Sequence, residues 1–218
     1  MSRPAARRPI SGALHLRAAA LGSALALALA MLAACAQSPP TVFYTLDPMP
    51  APATTSDPAL PRPAATGDPL PIRVEAVHLP EPLNRPEIFI RQGPNVLRVD
   101  DFARWAAPLG SMTQRVLTQD LAARMPPGRV VFPDAPQPPG GVAGLSVEVL
   151  DFEVAAGEAR LSVAWYLGPH ARTLRLAMPS GGTAPQDSAR ALSELLGQLA
   201  ADIAAHADEF APRPKGAS

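Results

Sequence analysis

Hydrophobic and polar residues repeat with two different periods along this chain, and the shorter period predicts strands. Runs rich in β-branched and aromatic residues, bounded by Pro, Gly or Asp, are typical of strands. The runs cover residues 41–46, 72–79, 87–92, 95–99, 128–132, 145–154, 159–167 and 172–178. Gly93-Pro94 and Ala156-Gly157-Glu158 are turn signals between neighbouring runs. The last three runs are therefore expected to form an antiparallel meander.

Two segments instead repeat their apolar residues every three to four positions, which predicts helices with one apolar face. The first covers about residues 108–125, with Pro108 acceptable in a first helical turn, and the second begins near Asp187, where Asp187 or Ser188 could cap it. Their apolar stripes are Leu109, Met112, Val116, Leu117, Leu121 and Met125, and then Leu192, Leu195, Leu196, Leu199, Ile203 and Phe210. The pattern predicts one α/β or α+β domain, with a mixed, largely antiparallel sheet packed against two main helices.

The first 34 residues resemble a bacterial export signal. Four arginines and no acid precede the uncharged apolar run at 18–34, which ends in Leu32-Ala33-Ala34-Cys35. This ending matches the lipobox of lipoprotein precursors. It predicts a signal peptide over residues 1–34, cleavage between Ala34 and Cys35, and a diacylglycerol and an N-acyl chain on Cys35. A membrane-spanning helix is the competing interpretation, because about 17 apolar residues are at the lower limit for crossing a bilayer.

The mature chain is expected to run from Cys35 to residue 218 as one periplasmic domain close to its membrane. Only about five residues separate Cys35 from the first predicted strand, a reach under roughly 20 Å. Prolines concentrate in a loop at 47–71, and a Pro-rich tail follows at 211–218. Ala36 stands where an Asp favours inner-membrane retention in enterobacterial lipoproteins, so the outer membrane is the expected location.

Charge and cysteine content exclude several classes of protein. Removing the four N-terminal arginines leaves 15 basic against 19 acidic residues, a mature net charge of −4. An acidic body without a Lys/Arg stripe gives no footprint for nucleic acid. The single cysteine rules out a disulfide within the monomer, so an ordinary hydrophobic core must stabilise the fold.

No recognisable catalytic or metal site is present in the sequence, and a non-enzymatic protein is expected. His15 is lost with the signal, and His78, His170 and His206 have no metal-ligand spacing, so no metal or cofactor beyond the lipid on Cys35 is predicted. Asp151 and Glu153 project from one face of a strand, as paired glycosidase carboxylates do, although alternating polar positions on an open sheet face explain them as well. Asp100-Asp101 is interpreted as turn or helix-entry chemistry.

Several short strings in succession resemble the PqiC/YmbA family of ABC-transport auxiliary lipoproteins. They are Phe43-Tyr44-Thr45-Leu46, Leu79-Pro80, Leu83-Asn84-Arg85-Pro86-Glu87-Ile88, Arg104-Trp105-Ala106-Ala107-Pro108-Leu109, Arg115-Val116-Leu117 and Asp120-Leu121. The similarity covers roughly residues 35–132. The family commonly has Asp where Asn84 stands and an acid near Ala107, so this chain lacks two charges that the family could use in partner contacts.

The resemblance implies a lipoprotein that faces the periplasm and works with an MCE-domain protein and a permease or ABC transporter in moving lipids. No catalytic residue is carried over by it. Arg85 and Trp105 are candidate interface residues because Arg and Trp are enriched in binding hot spots, whereas a turn role for Arg85 and a core role for Trp105 are the simpler alternatives. A homo-oligomer is left open. A periplasmic hydrolase and a structural lipoprotein of outer-membrane assembly are the other functions to be distinguished.

Overall fold

The computed structural model describes residues 39–50 and 69–210, and eight strands and two α-helices lie within those ranges. The strands are β1 (Val42–Tyr44), β2 (Ile72–His78), β3 (Glu87–Gly93), β4 (Val96–Trp105), β5 (Val130–Val131), β6 (Ala143–Ala155), β7 (Glu158–Leu167) and β8 (His170–Pro179). The helices are α1 (Leu109–Arg124) and α2 (Pro185–Phe210), and a short 3₁₀ turn covers Glu81–Leu83. The predicted signal peptide, its cleavage site at Ala34 and Cys35, most of the Pro-rich loop and the tail lie outside the described residues.

The strands form one mixed sheet, which confirms the predicted fold class. Its order is β1-β4-β3-β6-β2-β5, and β7 and β8 extend it from the other edge of β6. The pairs β3–β4, β6–β7 and β7–β8 are antiparallel, so the predicted meander of the last three strands is present. The pairs β1–β4, β2–β5, β2–β6 and β3–β6 are parallel.

Both helices pack on one face of the sheet and on each other, and a single core lies between these layers. All six apolar residues of the first predicted stripe are buried, as are Leu192, Leu195, Leu196, Leu199 and Ile203 of the second. Phe210 is half-buried and stacks on His170 at the end of α2. The 3.6-residue period therefore identified the buried sides of both helices, and the two-residue period identified the buried side of β7.

Two local predictions were wrong. β4 continues to Trp105, so Asp100 and Asp101 lie inside a strand and not in a turn. Asp100 accepts a hydrogen bond of 3.0 Å from the Phe102 N–H, at the irregularity where the register of β4 against β3 shifts. α2 begins two residues before Asp187, and the Ala184 carbonyl accepts the N–H groups of Asp187 and Ser188. Asp187 consequently lies in the first turn of α2. There its negative charge interacts favourably with the helix dipole, but the residue is not the N-cap.

Candidate docking surface

The face of β6, β7 and β8 that points away from the helices is not covered by any helix of the described chain, and we call it the open face. Period-two alternation and the strand register assign its residues. They include Ser146, Glu148, Leu150, Asp151, Glu153, Glu158, Arg160, Ser162, Ala164, Tyr166, Ala171, Thr173, Arg175 and Ala177. Leu150 is 52% exposed and Tyr166 is 42% exposed. Small side chains, among them Ser162 and Ala164, lie on the same face as these two exposed apolar residues.

A charged cluster lies where the open face meets β3. The Arg91 Nε donates to both carboxylate oxygens of Glu153, at 2.7 and 2.8 Å. Glu153 is only 6% exposed, so this is a buried carboxylate held by one guanidinium. Hydrogen bonding and charge from Glu153 raise the pKa of Arg91 further above its usual value. Removing Arg91 would leave the buried Glu153 carboxylate without its cation, and removing Glu153 would leave Arg91 without its acceptor.

Asp151 belongs to the same cluster. Burial raises the pKa of the Asp151 carboxyl, and the negative charge of Glu153 raises it further, while Arg91 and Arg160 oppose the shift. Across the sheet, Arg160 pairs in register with Glu153 and donates to Glu158 at 3.0 Å. The sequence analysis placed the two carboxylates on one strand face correctly but missed both arginines. Glu153 has the polar position on the open face that strand alternation predicts, but Arg91 covers its carboxylate, which the sequence did not indicate.

The cluster does not offer the geometry of a glycoside-cleaving pair. A hydrolytic pair needs one carboxyl free to donate a proton and one free to act on water or sugar, with a substrate between them. Both oxygens of Glu153 already accept from Arg91. The cavity beside Glu153 has a volume of about 20 Å³. That space is enough for roughly one water molecule and not for a sugar ring.

The segment after β1, residues 45–49, lies across both helices, and we call it the strap. The Met49 N–H donates to Asp120 Oδ1 of α1 at 2.7 Å, and the Asp47 N–H donates to Ser193 Oγ of α2 at 3.1 Å. Asp120 is fully buried, and its Oδ1 lies 3.4 Å from Arg124 Nη1. Burial raises the pKa of Asp120, opposed by the hydrogen bond from Met49 and the charge of Arg124. The strap thereby fixes the N-terminal end of the domain to its helical layer.

A groove of about 290 Å³ opens beside the strap. Its lining residues are Phe43, Tyr44, Thr45, Asp47, Met49, Gln186, Ala189, Arg190 and Ser193. Neither the strap nor the groove was predicted from the sequence. One sequence signal pointed to the strap's contact on α1. Asp120 and Arg124 are four positions apart on the apolar side of the predicted helix, which is the spacing of a helical ion pair.

The two candidate interface residues lie in different environments. The Arg85 side chain is exposed, and its Nε is 3.6 Å from Glu87 Oε2. Trp105 ends β4 inside the core, and its backbone N–H donates to the Pro86 carbonyl at 2.7 Å. The burial of Trp105 favours the alternative that it packs in the core. Arg85 is accessible to a partner.

The three mature histidines lie apart from any arrangement of metal ligands. His78 is exposed, the His170 ring stacks on Phe210 at 4.7 Å, and the His206 Nδ1 is 2.8 Å from the Asp202 carbonyl oxygen. Across residues 39–50 and 69–210, no group of three or more potential ligands is close enough to hold a metal ion. Neither of the helices in those ranges is long and apolar enough to cross a membrane.

Comparison with known proteins identifies a family and several solved structures of similar fold. The family model of the ABC-type transport auxiliary lipoprotein component matches residues 44–204. A crystal structure of protein XCC0632 from Xanthomonas campestris, of the DUF330 family, is similar with a TM-score of 0.58 and 19% identity, covering 78% of this chain and 96% of that one. An uncharacterized protein of known structure gives a TM-score of 0.57 and 20% identity, over 63% of this chain and 92% of its own. No curated protein matches the sequence significantly.

Proposed function

Because the chain belongs to the family of ABC-type transport auxiliary lipoprotein components, we propose that it is a non-enzymatic, lipid-anchored docking subunit of an envelope lipid-transport system. Removal of residues 1–34 leaves Cys35 as the N-terminus, which carries a diacylglycerol and an N-acyl chain. The anchor lies in the outer membrane and the domain faces the periplasm. There it binds an MCE-domain protein that works with the permease and ATPase subunits, and so supports membrane integrity.

The observation that supports docking is the open face. A sheet normally buries its second face against another layer or keeps it strongly polar. Here that face combines the exposed Leu150 and Tyr166 with small residues and with charges of both signs. Apolar and aromatic centres surrounded by polar groups are typical of protein interfaces that assemble and separate.

The anchor increases the effect of a modest interface. Two or three acyl chains hold a protein on a bilayer far more firmly than one. A domain confined to that surface meets partners that reach the same membrane at a high effective concentration, so a small interface is sufficient for binding. This arrangement needs no reactive group, which agrees with the covered carboxylate of Glu153.

Site-specific photo-crosslinking tests the docking surface. A photoreactive phenylalanine at Tyr166 replaces one exposed aromatic ring with another, and the same residue at Ala201 lies on an exposed position of α2, on the other side of the sheet. We expect Tyr166 to crosslink in cells to an MCE-domain protein and Ala201 not to do so. Equal crosslinking at the two positions, or crosslinking of neither to a transport component, contradicts the proposal.

The anchor has a separate test. The Cys35→Ser substitution removes the lipid acceptor, so the chain should lose its membrane association and fail to restore detergent resistance in a strain lacking the native gene. Mass spectrometry of the wild-type protein should find acyl chains on the N-terminal cysteine. An intact leader without fatty acids would overturn the lipoprotein assignment for this chain.

A further inference from the structure

The β3–β4 hairpin extends beyond its neighbour in the sheet. β4 has ten residues, but β1 pairs only with the last three of them, Ala103 to Trp105. The first seven residues of β4 therefore have no partner on that edge within the described chain. The outer part of this stretch and the end of β3 form an arm, which we define as residues 91–99.

The arm lies on the side of the sheet at which β1 begins. β1 and β4 are parallel, and Val42 pairs with Ala103. Seven positions separate Cys35 from Val42, and seven positions separate Val96 from Ala103. At roughly 3.3 Å per residue both spans reach about 23 Å at most. The lipid-bearing cysteine can thus reach the level of the arm's tip and cannot pass far beyond it.

The arm also carries the chemistry of a membrane-contacting segment. Val96, Leu97 and Val99 are 52%, 43% and 37% exposed, although a hydrophobic core is available elsewhere in the domain. Arg98 lies among these side chains, and Arg91 lies at the base of the arm, where it binds Glu153. Residues 91–99 contain no acid, and Asp100 and Asp101 follow directly after the arm. Apolar side chains beside arginines suit the boundary between acyl chains and anionic headgroups.

From this placement we infer that the tip of the arm enters the interfacial layer of the membrane that holds the Cys35 lipid. The inference rests on the proposed acylation of Cys35. A shallow position is required, because the unpaired N–H and C=O groups on the free edge of β4 need water or headgroups as partners. Anchor and arm then contact the bilayer together and fix the orientation of the open face relative to it.

Tryptophan fluorescence in proteoliposomes tests the inference with the full acylated mature protein. Leu97→Trp is compared with Tyr166→Trp, since the two parent side chains are 43% and 42% exposed but lie on the arm and on the open face. The native Trp105 and Trp165 are buried in the core and supply a constant background. Vesicles of phosphatidylethanolamine and phosphatidylglycerol are prepared with and without brominated acyl chains, which quench tryptophan at close range.

Brominated lipid should reduce the Leu97→Trp signal by roughly twofold relative to the Tyr166→Trp signal, with a shift of Leu97→Trp emission to shorter wavelength. Val96→Trp provides a second probe if Leu97→Trp does not fold. Equal quenching of arm and control probes overturns the inference. Arm probes that respond to a second copy or an added protein partner, and not to brominated lipid, overturn it as well.

Flotation separates failure of this inference from failure of the proposed function. A protein that is not acylated does not float with vesicles. That result would contradict the proposed acylation of Cys35, on which the inference rests. A protein that floats and shows no selective quenching of the arm probes is anchored as proposed, but its arm does not enter the bilayer.

Discussion

The two faces of the same three strands differ sharply in composition and burial. On β7, Ala159, Leu161, Val163, Trp165 and Leu167 alternate with Glu158, Arg160, Ser162, Ala164 and Tyr166. The first set is almost completely buried beneath the helices, and the second faces away from them. One strand therefore contributes to the core with one half of its residues and to a candidate docking surface with the other half.

This difference separates stability from recognition. Substitutions under the helices should change the free energy of unfolding, and most substitutions on the open face should change only what binds there. The exception is the edge where Arg91 of β3 covers Glu153, since a charge on the open side is buried at that point. Substitutions at particular residues on the two faces can therefore test whether stability depends on the covered face alone.

The largest expected effect comes from a matched pair of leucines on opposite faces. Leu161 is 1% exposed beneath the helices, and Leu150 is 52% exposed on the open face. Leu161→Ala should lower the free energy of unfolding by about 3 kcal/mol, because it leaves a cavity in the core. Leu150→Ala should change it by less than about 0.5 kcal/mol. Urea unfolding of both variants measures the difference.

A large destabilisation by Leu150→Ala would mean that the open face is part of the core of an assembly that persists in solution. The concentration dependence of the unfolding midpoint distinguishes that case, because only an assembly shifts its midpoint with protein concentration.

The second prediction concerns the charged pair inside the helix-covered layer. Arg124→Met removes the cation beside the fully buried Asp120 and should cost about 2–3 kcal/mol, since the carboxylate is left uncompensated. Arg115→Met, at an exposed position of the same helix, is the control and should cost little. Thermal unfolding at neutral pH compares the two. Equal effects would show that helix propensity, and not the buried pair, decides the outcome.

Sequence patterns predicted most of the fold because burial follows local periodicity. The stripe of α1 and the alternation of β7 can be read from the spacing of their leucines and valines. The end of β4 could not be predicted in this way. Asp100 and Asp101 disfavour a strand by composition. The pairing of Asp100 with Ile88 of β3, and of Ala103 to Trp105 with β1, overrides that preference.

Features that depend on long-range contacts were the ones missed. Arg91 lies 62 positions from Glu153, and Met49 lies 71 positions from Asp120. No local spacing connects such partners, so the sequence could identify an acidic pair but not the arginine that covers it. For the same reason the sequence predicted strands at 87–92 and 95–99 but not that their hairpin extends past the end of β1.

The third prediction concerns Glu153, the carboxylate on the open face that Arg91 covers. Glu153→Gln keeps the side-chain shape and removes its charge, and it should cost about 1 kcal/mol through the weakened hydrogen bonds from Arg91. Arg91→Met should destabilise the protein more than Glu153→Gln does, because it leaves a buried charge without a partner. Chemical denaturation at pH 7 ranks the two variants. The reverse order would mean that solvent reaches Glu153 and that the open face is polar throughout.

The smallest effect is expected at Asp151, and its sign depends on pH. Burial and Glu153 raise the pKa of Asp151 in the folded protein above its ordinary 3.8, so the ionised carboxylate is less favourable in the fold than in the unfolded chain. Stability linked to this group is present in full below the unfolded-state pKa and is lost as the pH rises through the folded-state pKa. Asp151→Asn should therefore increase stability at pH 7, by about 0.5 kcal/mol for a partly solvated group, and the gain should shrink as the pH falls toward 4. Urea unfolding of both proteins from pH 4 to 7.5 measures this difference. A gain independent of pH would assign the effect to packing, and a loss at pH 7 would show that attraction to Arg91 and Arg160 outweighs desolvation on the open face.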